Sequence, residues 1–276
     1  MPNIGLTMHT ALVFAVVLVT ASALLRLIPH RWTHYVSAGA WEAALICLLF
    51  ALWQYVGGLA RTHVAGGISH GYAVWHVERA WHFPSEVSVQ HLITGHPWLV
   101  HVSDWYYGGA HLNSMWIFLV WLFVRHRDHY ARWRNVVVLS TAMCLALELI
   151  PVAPPRFLTS GTGVVDLPLR YGESVYGFFG STVAGQLSAM PSVHVGWAVL
   201  IAIAVITAST SKWRWLILLH TGFTIFVVVA TGNHFWFDGL AASAFVVLGI
   251  LFERVLRVVA ERVRERLVLR PAPVPT

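Results

Sequence analysis

The segments Met190-Pro191-Ser192-Val193-His194 and His234-Phe235-Trp236-Phe237-Asp238 set two histidines, a serine and a carboxylate at the ends of long apolar stretches. Ionisable groups at that depth in a membrane protein are costly, so such a cluster marks a functional site by default. His234 and Asp238 are four residues apart, a spacing that stacks them on one helical face. There a carboxylate fixes the tautomer of an imidazole and raises its basicity, so His234 reads as a nucleophile. Pro191 suits the first turn of a helix because it has no amide hydrogen to leave unpaired, and a helix is expected to begin near residues 188–191. Its free amides and dipole attract phosphate, with Ser192 and His194 in that first turn. Arg156, in Pro154-Pro155-Arg156, adds an always-charged planar fork matched to two phosphate oxygens. Together these groups suit phosphoryl transfer.

Each piece also has an ordinary reading. A single histidine at a helix end is more often an interfacial residue than a catalyst, and the chain has 16 of them. Tyr107 and His111 are four apart and serve either hydrogen bonding inside a bundle or contact with substrate. Glu78, Glu86 and Gln90 either shape an acceptor pocket or solvate a helix at the membrane surface. What raises His194, His234 and Asp238 above this background is their combination.

The elements that must position them are set by the solvent. Of the 276 residues, 57% are hydrophobic and only 11% charged, too little polar surface for a water-soluble globule of this length. Apolar runs of roughly 20 residues, enough to cross the bilayer core as helix, fall near 8–28, 40–59, 105–124, 135–152, 190–208, 214–231 and 235–252. The chain therefore reads as all-α, a polytopic membrane bundle of about six or seven transmembrane helices. Between the second and third spans, residues 61–104 carry Trp75, Trp81, Phe83 and Trp98, and aromatics with one wet edge favour the membrane interface; an interfacial or re-entrant helix is expected over about 72–93, broken at Pro84. Two N-terminal spans (1–60), a core carrying the chemistry (61–252) and a basic tail (253–276) make up the chain.

Basic residues orient this bundle. With the loop 125–134 inside the cell, only Arg61, Arg79, Arg156 and Arg170 of the 18 Lys and Arg lie outside, as the positive-inside rule favours. The expectation is a multi-pass protein of the plasma membrane with its chemistry on the extracytoplasmic face and its C-terminus in the cytoplasm. The net charge of +6 then needs no nucleic-acid partner, because the arginines from Arg254 to Arg270 sit well against anionic lipid heads. Cys47 and Cys144 both fall in apolar spans and read as small packing residues. The Pro271–Pro275 tail is expected to be disordered. Nothing in the sequence sets an oligomeric state.

Pro-Ser-Val-His at 191–194 and His-Phe-Trp-Phe-Asp at 234–238 resemble the second and third signature motifs of the type 2 phosphatidic acid phosphatase superfamily. Glu78, Glu86 and Gln90, then Tyr107-Gly108-Gly109-Ala110-His111, then Pro151 to Arg156 with Asp166 downstream, are similar in order and spacing to the branch that includes inositol phosphorylceramide synthases. The likeness spans about residues 70–250. It implies a mechanism without metal or other cofactor: His234 attacks phosphorus to give a phosphohistidine, Asp238 orients it, and His194 protonates the departing oxygen and later activates the acceptor. Ser192 and Arg156 would hold the phosphoryl oxygens, with Arg170 as a further cation. Tyr107, His111 and Asp166 would border the substrate pocket. The implied substrate is a lipid phosphate, with an alcohol as acceptor in the synthase-like branch. Leu149 and Val228 stand where the wider superfamily has basic residues, and Val193 replaces a Gly often found before the second-motif His. Part of the usual phosphate clamp is therefore absent, as the synthase-like branch tends to show.

Two other classes compete. A seven-helix zinc-dependent lipid amidohydrolase would also use membrane His, Ser and Asp groups, but it calls for a third well-placed histidine ligand. A non-catalytic lipid-binding protein on the same scaffold would more naturally have lost the nucleophile or the acid, and here both are present.

Overall fold

A computed structural model describes residues 7–60, 66–158, 160–171 and 187–268. Arg61, Arg270 and the Pro271–Pro275 tail lie outside them, as does most of the segment between Arg170 and Ser188. Helices α1 (Met8–Arg26), α2 (Arg31–Ala60), α3 (Gly67–Ala80), α4 (Glu86–Thr94), α5 (Pro97–Trp105), α6 (His111–Arg125), α7 (Arg127–Glu148), α8 (Leu167–Tyr171), α9 (Val193–Ala208), α10 (Ile217–Ala230) and α11 (Trp236–Val268) follow in order. The elements of the described residues are all helical, as the apolar runs predict.

Four described helices are long and apolar enough to cross a membrane: Met8–Arg26, Arg31–Val56, Lys212–Ala230 and Trp236–Arg266. Pro97–Ala110 and Asn113–Arg125 form a bent pair at 44° that passes the same test as one broken span. The apolar helix Val193–Ala208 is shorter, and α7 carries Arg127, Asp128, Arg132 and Arg134 in its first half. Among the described residues, length and composition thus support four or five spans, where the hydropathy reading expects six or seven. The stretch expected as one broken helix over 72–93 is two, α3 and α4, parted at residues 81–85. Pro84 disfavours helix in the residue before it, and His82 takes a left-handed φ of 57°.

Helices α1 and α2 form a hairpin whose seam holds Ala11, Ala15 and Ser22. Small side chains let membrane helices approach closely, and polar ones then bond across the seam. Ser22 donates to the Ser37 carbonyl and Ser37 to the Ser22 carbonyl, both at 2.9 Å. The main core joins α6, α7, α9 and α11 around Leu122, Trp133, Val136, Leu200 and Val246. Close approach again rests on small residues: a Cβ on Gly196 would stand 3.2 Å from Ala242, one on Gly239 3.2 Å from Val195, and one on Gly249 3.4 Å from Ser140. The first two contacts press α9 and α11 together just below His194 and His234, and the third sets α11 against α7 farther along.

The ends of α7 and α10 and the starts of α9 and α11 meet at one end of the bundle. At the other, the ion pair of Arg132 with Glu253 (3.7 Å) returns α11 to the basic start of α7. Segment 151–158 closes the first end. Val152 pairs with Ser188 in a parallel bridge, through Val152 N–H to Leu187 O (2.7 Å) and Ala189 N–H to Val152 O (3.0 Å). Helix α3 lies directly on this segment, where a Cβ on Gly71 would come within 2.7 Å of the Ala153 carbonyl.

Candidate active site

Helix α10 ends in a hydrogen-bond pattern typical of a glycine stop. Gly232, at φ 69°, donates its amide to Val229 O (2.9 Å), and Asn233 donates to Val228 O (3.1 Å). A left-handed residue in that place favours glycine. The Gly232 carbonyl accepts the amide of Arg156 at 3.0 Å, which ties the 151–158 segment to the turn carrying His234.

His234 is buried, 4% exposed, and stands two residues before α11. Its Nδ1 lies 2.7 Å from the Ala189 carbonyl and 3.4 Å from Asp238 Oδ2. A carbonyl only accepts, so Nδ1 carries the hydrogen and Nε2 keeps its lone pair. Nε2 is buried with no hydrogen-bond partner among the described residues. Burial pushes the imidazole down to about 4, with the nearby Arg156 acting in the same direction and the bond to Ala189 opposing it. The ring is therefore neutral at physiological pH, the form that attacks an electrophile. Asp238 Oδ2 also accepts the Phe235 amide at 2.8 Å, a return bond that closes the helix start. His234 and Asp238 come together, but not on one helical face as the spacing suggests, because His234 precedes α11; the shortest contact at Nδ1 is a backbone carbonyl from another segment.

Ser192 caps α9, its Oγ accepting from Val195 N–H at 3.4 Å, and its own amide donates to the Asp238 carbonyl at 3.1 Å. Pro191 thus precedes the cap instead of opening the helix, because the serine hydroxyl takes the capping role that proline cannot. His194 follows in the first turn. Its ring lies 5.8 Å from that of His234, 4.2 Å from Tyr107 in a near-parallel stack, and 5.0 Å from His111. The π-helical turn Tyr106–Ala110 between α5 and α6 presents these neighbours; π-turns recur at functional positions.

Arg156 is 2% exposed, and its Nη1 is 3.4 Å from both Asp166 oxygens. Asp166 in turn accepts the Leu169 amide at 3.3 Å. The structure therefore gathers His194, His234, Asp238, Ser192, Arg156, Tyr107 and His111 into one cluster, buried except at the partly exposed His194 and Tyr107, with Asp166 joined through Arg156. Arg170 is exposed on α8. Glu78, Glu86 and Gln90 are all buried, which removes the reading in which they solvate a surface helix. Gln90 exchanges two bonds with Val165, at 2.8 and 2.9 Å, and so holds the segment bearing Asp166.

Some neighbours of the site carry no sequence signal. His220 and Tyr106 are bonded at 2.8 Å, and the His220 ring stacks 5.7 Å from His111 at 11°. Both nitrogens of His111 are buried without a partner among the described residues; leaving such groups unpaired costs about 1–3 kcal/mol. Lone residues inside apolar helices give no spacing by which to find them. Among the described residues, no three His, Cys, Asp or Glu side chains are grouped so as to hold a metal ion.

A family model described as the PAP2 superfamily matches residues 72–252. No curated protein and no solved structure matches the chain.

Proposed function

The chain belongs to the PAP2 superfamily, and from that premise we propose that it is a membrane lipid phosphatase or phosphotransferase working through a phosphohistidine on His234. Family membership points to phosphatase-type chemistry, and the apolar helices point to a substrate held in the bilayer. The observation that carries the finer reading is the His234 ring, whose Nδ1 is held by the Ala189 carbonyl while Nε2 keeps a free lone pair beside Arg156 and His194.

The Nε2 lone pair forms a bond to phosphorus as the bond from phosphorus to the leaving oxygen breaks. A bound phosphate favours the imidazolium form of His194 by opposite charge, and His194 gives its proton to that oxygen. In the second half, water or an alcohol attacks phosphorus, the phosphorus–nitrogen bond breaks, and His194 takes the proton back. Arg156 and Ser192, with amides at the start of α9, meet the charge that builds on the phosphoryl oxygens. Arg156 is the principal cation in this reading, since Arg170 is exposed. Asp238 holds the turn and faces the Nδ1 edge of His234.

The likeness of Tyr107 to His111 and of Pro151 to Arg156 to the inositol phosphorylceramide synthase branch favours transfer over hydrolysis. A pocket that positions an alcohol gives it a large proximity advantage over water, and His111 offers two nitrogens for such a hydroxyl. The loop charges favour an extracytoplasmic site, a cytoplasmic C-terminus and residence in the plasma membrane. With a labelled lipid phosphate donor, adding inositol, a diacylglycerol or a polyprenol should move label into a new ester. If no acceptor competes with water, the transferase reading fails and a lipid phosphatase with the same residues remains.

A further inference from the structure

Helix α11 begins without the side chain that usually closes a helix start. The first amides of a helix have no partner inside it, and the residue before α11 is Phe235, which has no side-chain acceptor where Ser, Thr, Asp or Asn would supply one. Asp238 turns back to the Phe235 amide at 2.8 Å. The Phe237 amide is taken from outside the helix, by Oε1 of Glu78 at 2.6 Å. Glu78 lies in the last turn of α3 and is fully buried. We propose that Glu78 is a positioning residue, supplying the cap that Phe235 cannot and so fixing the turn that carries His234 and Asp238. This rests on the catalytic reading of those two residues.

The surroundings explain why a carboxyl is used and in which form. Arg79, next on α3, reaches Glu78 Oε2 at 3.7 Å and Glu86 Oε2 at 3.1 Å, so it favours Glu86 at the start of α4. Asp238 faces Glu78 from α11. The Pro155–Phe157 turn also packs on α3, but its Arg156 pairs with Asp166. Three buried carboxyls, Glu78, Glu86 and Asp238, thus lie together, and the Arg79 guanidinium reaches the first two. Burial pushes Glu78 up to about 9, with its bond to Glu86 adding to the rise, the bond from Phe237 opposing it, and the charges of Glu86 and Asp238 reinforcing it. At neutral pH it keeps its proton and accepts the Phe237 amide without placing a further negative charge beside Asp238.

The test compares wild type, Glu78→Gln and Glu78→Ala as full-length protein in nanodiscs, with phosphatidic acid and an aryl phosphate as probes and kcat followed from pH 6 to 10. Wild-type kcat should fall as pH rises through about 9, where Glu78 loses its proton. Glutamine keeps an acceptor for Phe237 and a donor for Glu86 and has no proton to lose; it should match wild type near neutrality and lack that fall. Alanine should lower kcat roughly tenfold to a hundredfold at every pH, the scale of a small misplacement of reacting groups.

Melting midpoints give a reading independent of turnover. A raised carboxyl pKa stabilises the fold fully below its unfolded value and loses that contribution as pH rises through the folded one. The wild-type midpoint should therefore drop toward pH 10 more than that of Glu78→Gln, and this comparison stands even if Glu78→Ala does not fold. The same alkaline fall in kcat for wild type and Glu78→Gln, with parallel melting curves, overturns the proposal. His234→Gln run alongside separates the failures: if it is inactive, only the role of Glu78 is lost, whereas wild-type turnover by His234→Gln, or a wild type inert on both probes, overturns the catalytic reading and this proposal with it.

Discussion

At the histidine end of the bundle Arg156 is 2% exposed and its Nη1 lies at 3.4 Å from both oxygens of Asp166, whereas at the basic end Arg132 and Arg257 are 39% and 48% exposed and flank Glu253 at 3.7 and 3.4 Å. The two ends use similar residue types for different ends. Around His234, directed bonds to backbone fix each polar group: Ala189 O to the ring, the Phe235 amide to Asp238, the Phe237 amide to Glu78, and Gly232 O to the Arg156 amide. At the basic end the arginines are exposed, and ion pairs in that setting contribute about 0–1 kcal/mol. Even Arg134, which grips Glu42 at 2.6 Å, is one-fifth exposed. Charge alone suffices to orient a bundle in a membrane, but reacting atoms have to be held in place.

Substitutions should separate the two ends sharply. His234→Gln is expected to cost about 10⁴-fold or more in kcat, the scale of losing a nucleophile, with an unchanged circular dichroism spectrum. Arg156→Lys keeps the charge but loses the planar fork, and a loss of about a hundredfold in kcat/KM is expected; near-wild-type rates would make the charge sufficient. Asp238→Asn still accepts the Phe235 amide through its carbonyl, so a smaller loss of roughly tenfold to a hundredfold in kcat is expected. Gly232→Ala puts a side chain at φ 69°, 3.2 Å from Arg156 Cβ; the left-handed cost of about 1–2 kcal/mol should lower the melting midpoint, with about a tenfold fall in rate as Arg156 is displaced. Arg132→Gln and Arg257→Gln should stay within about twofold of wild type. A large catalytic loss at the basic end would erase the contrast.

Much of this site is legible in the sequence where a local rule connects the residues. His234 and Asp238 lie 3.4 Å apart, with the histidine on the turn before the helix and not on its face, and Ser192 and His194 do open an apolar helix. The class of fold follows from composition together with the length of the apolar runs. Spans are less secure because hydropathy does not register breaks: the π-turn at Tyr106–Ala110 and the bend beside it divide one apolar run, and the run read over 135–152 is the second half of a helix whose first half is charged. The tautomer partner of His234 is beyond sequence reasoning, since it is a backbone carbonyl delivered by pairing of the 152 and 188 segments. Pro191 misleads by one step, because Ser192 is the better cap. Glu78, Glu86 and Gln90 carry no local sign that separates a wet helix face from a buried network; only the packing of α3 and α4 on the site end decides it.

In the proposed mechanism, Nε2 of His234 is the atom that holds the phosphoryl group. Purified protein mixed with a lipid donor labelled in its phosphate, quenched with alkali during turnover and digested, should yield an acid-labile, alkali-stable phosphorylated peptide containing His234, absent from His234→Gln. Sustained turnover with no such adduct in rapidly quenched samples, or label on another residue that persists in His234→Gln, would contradict it.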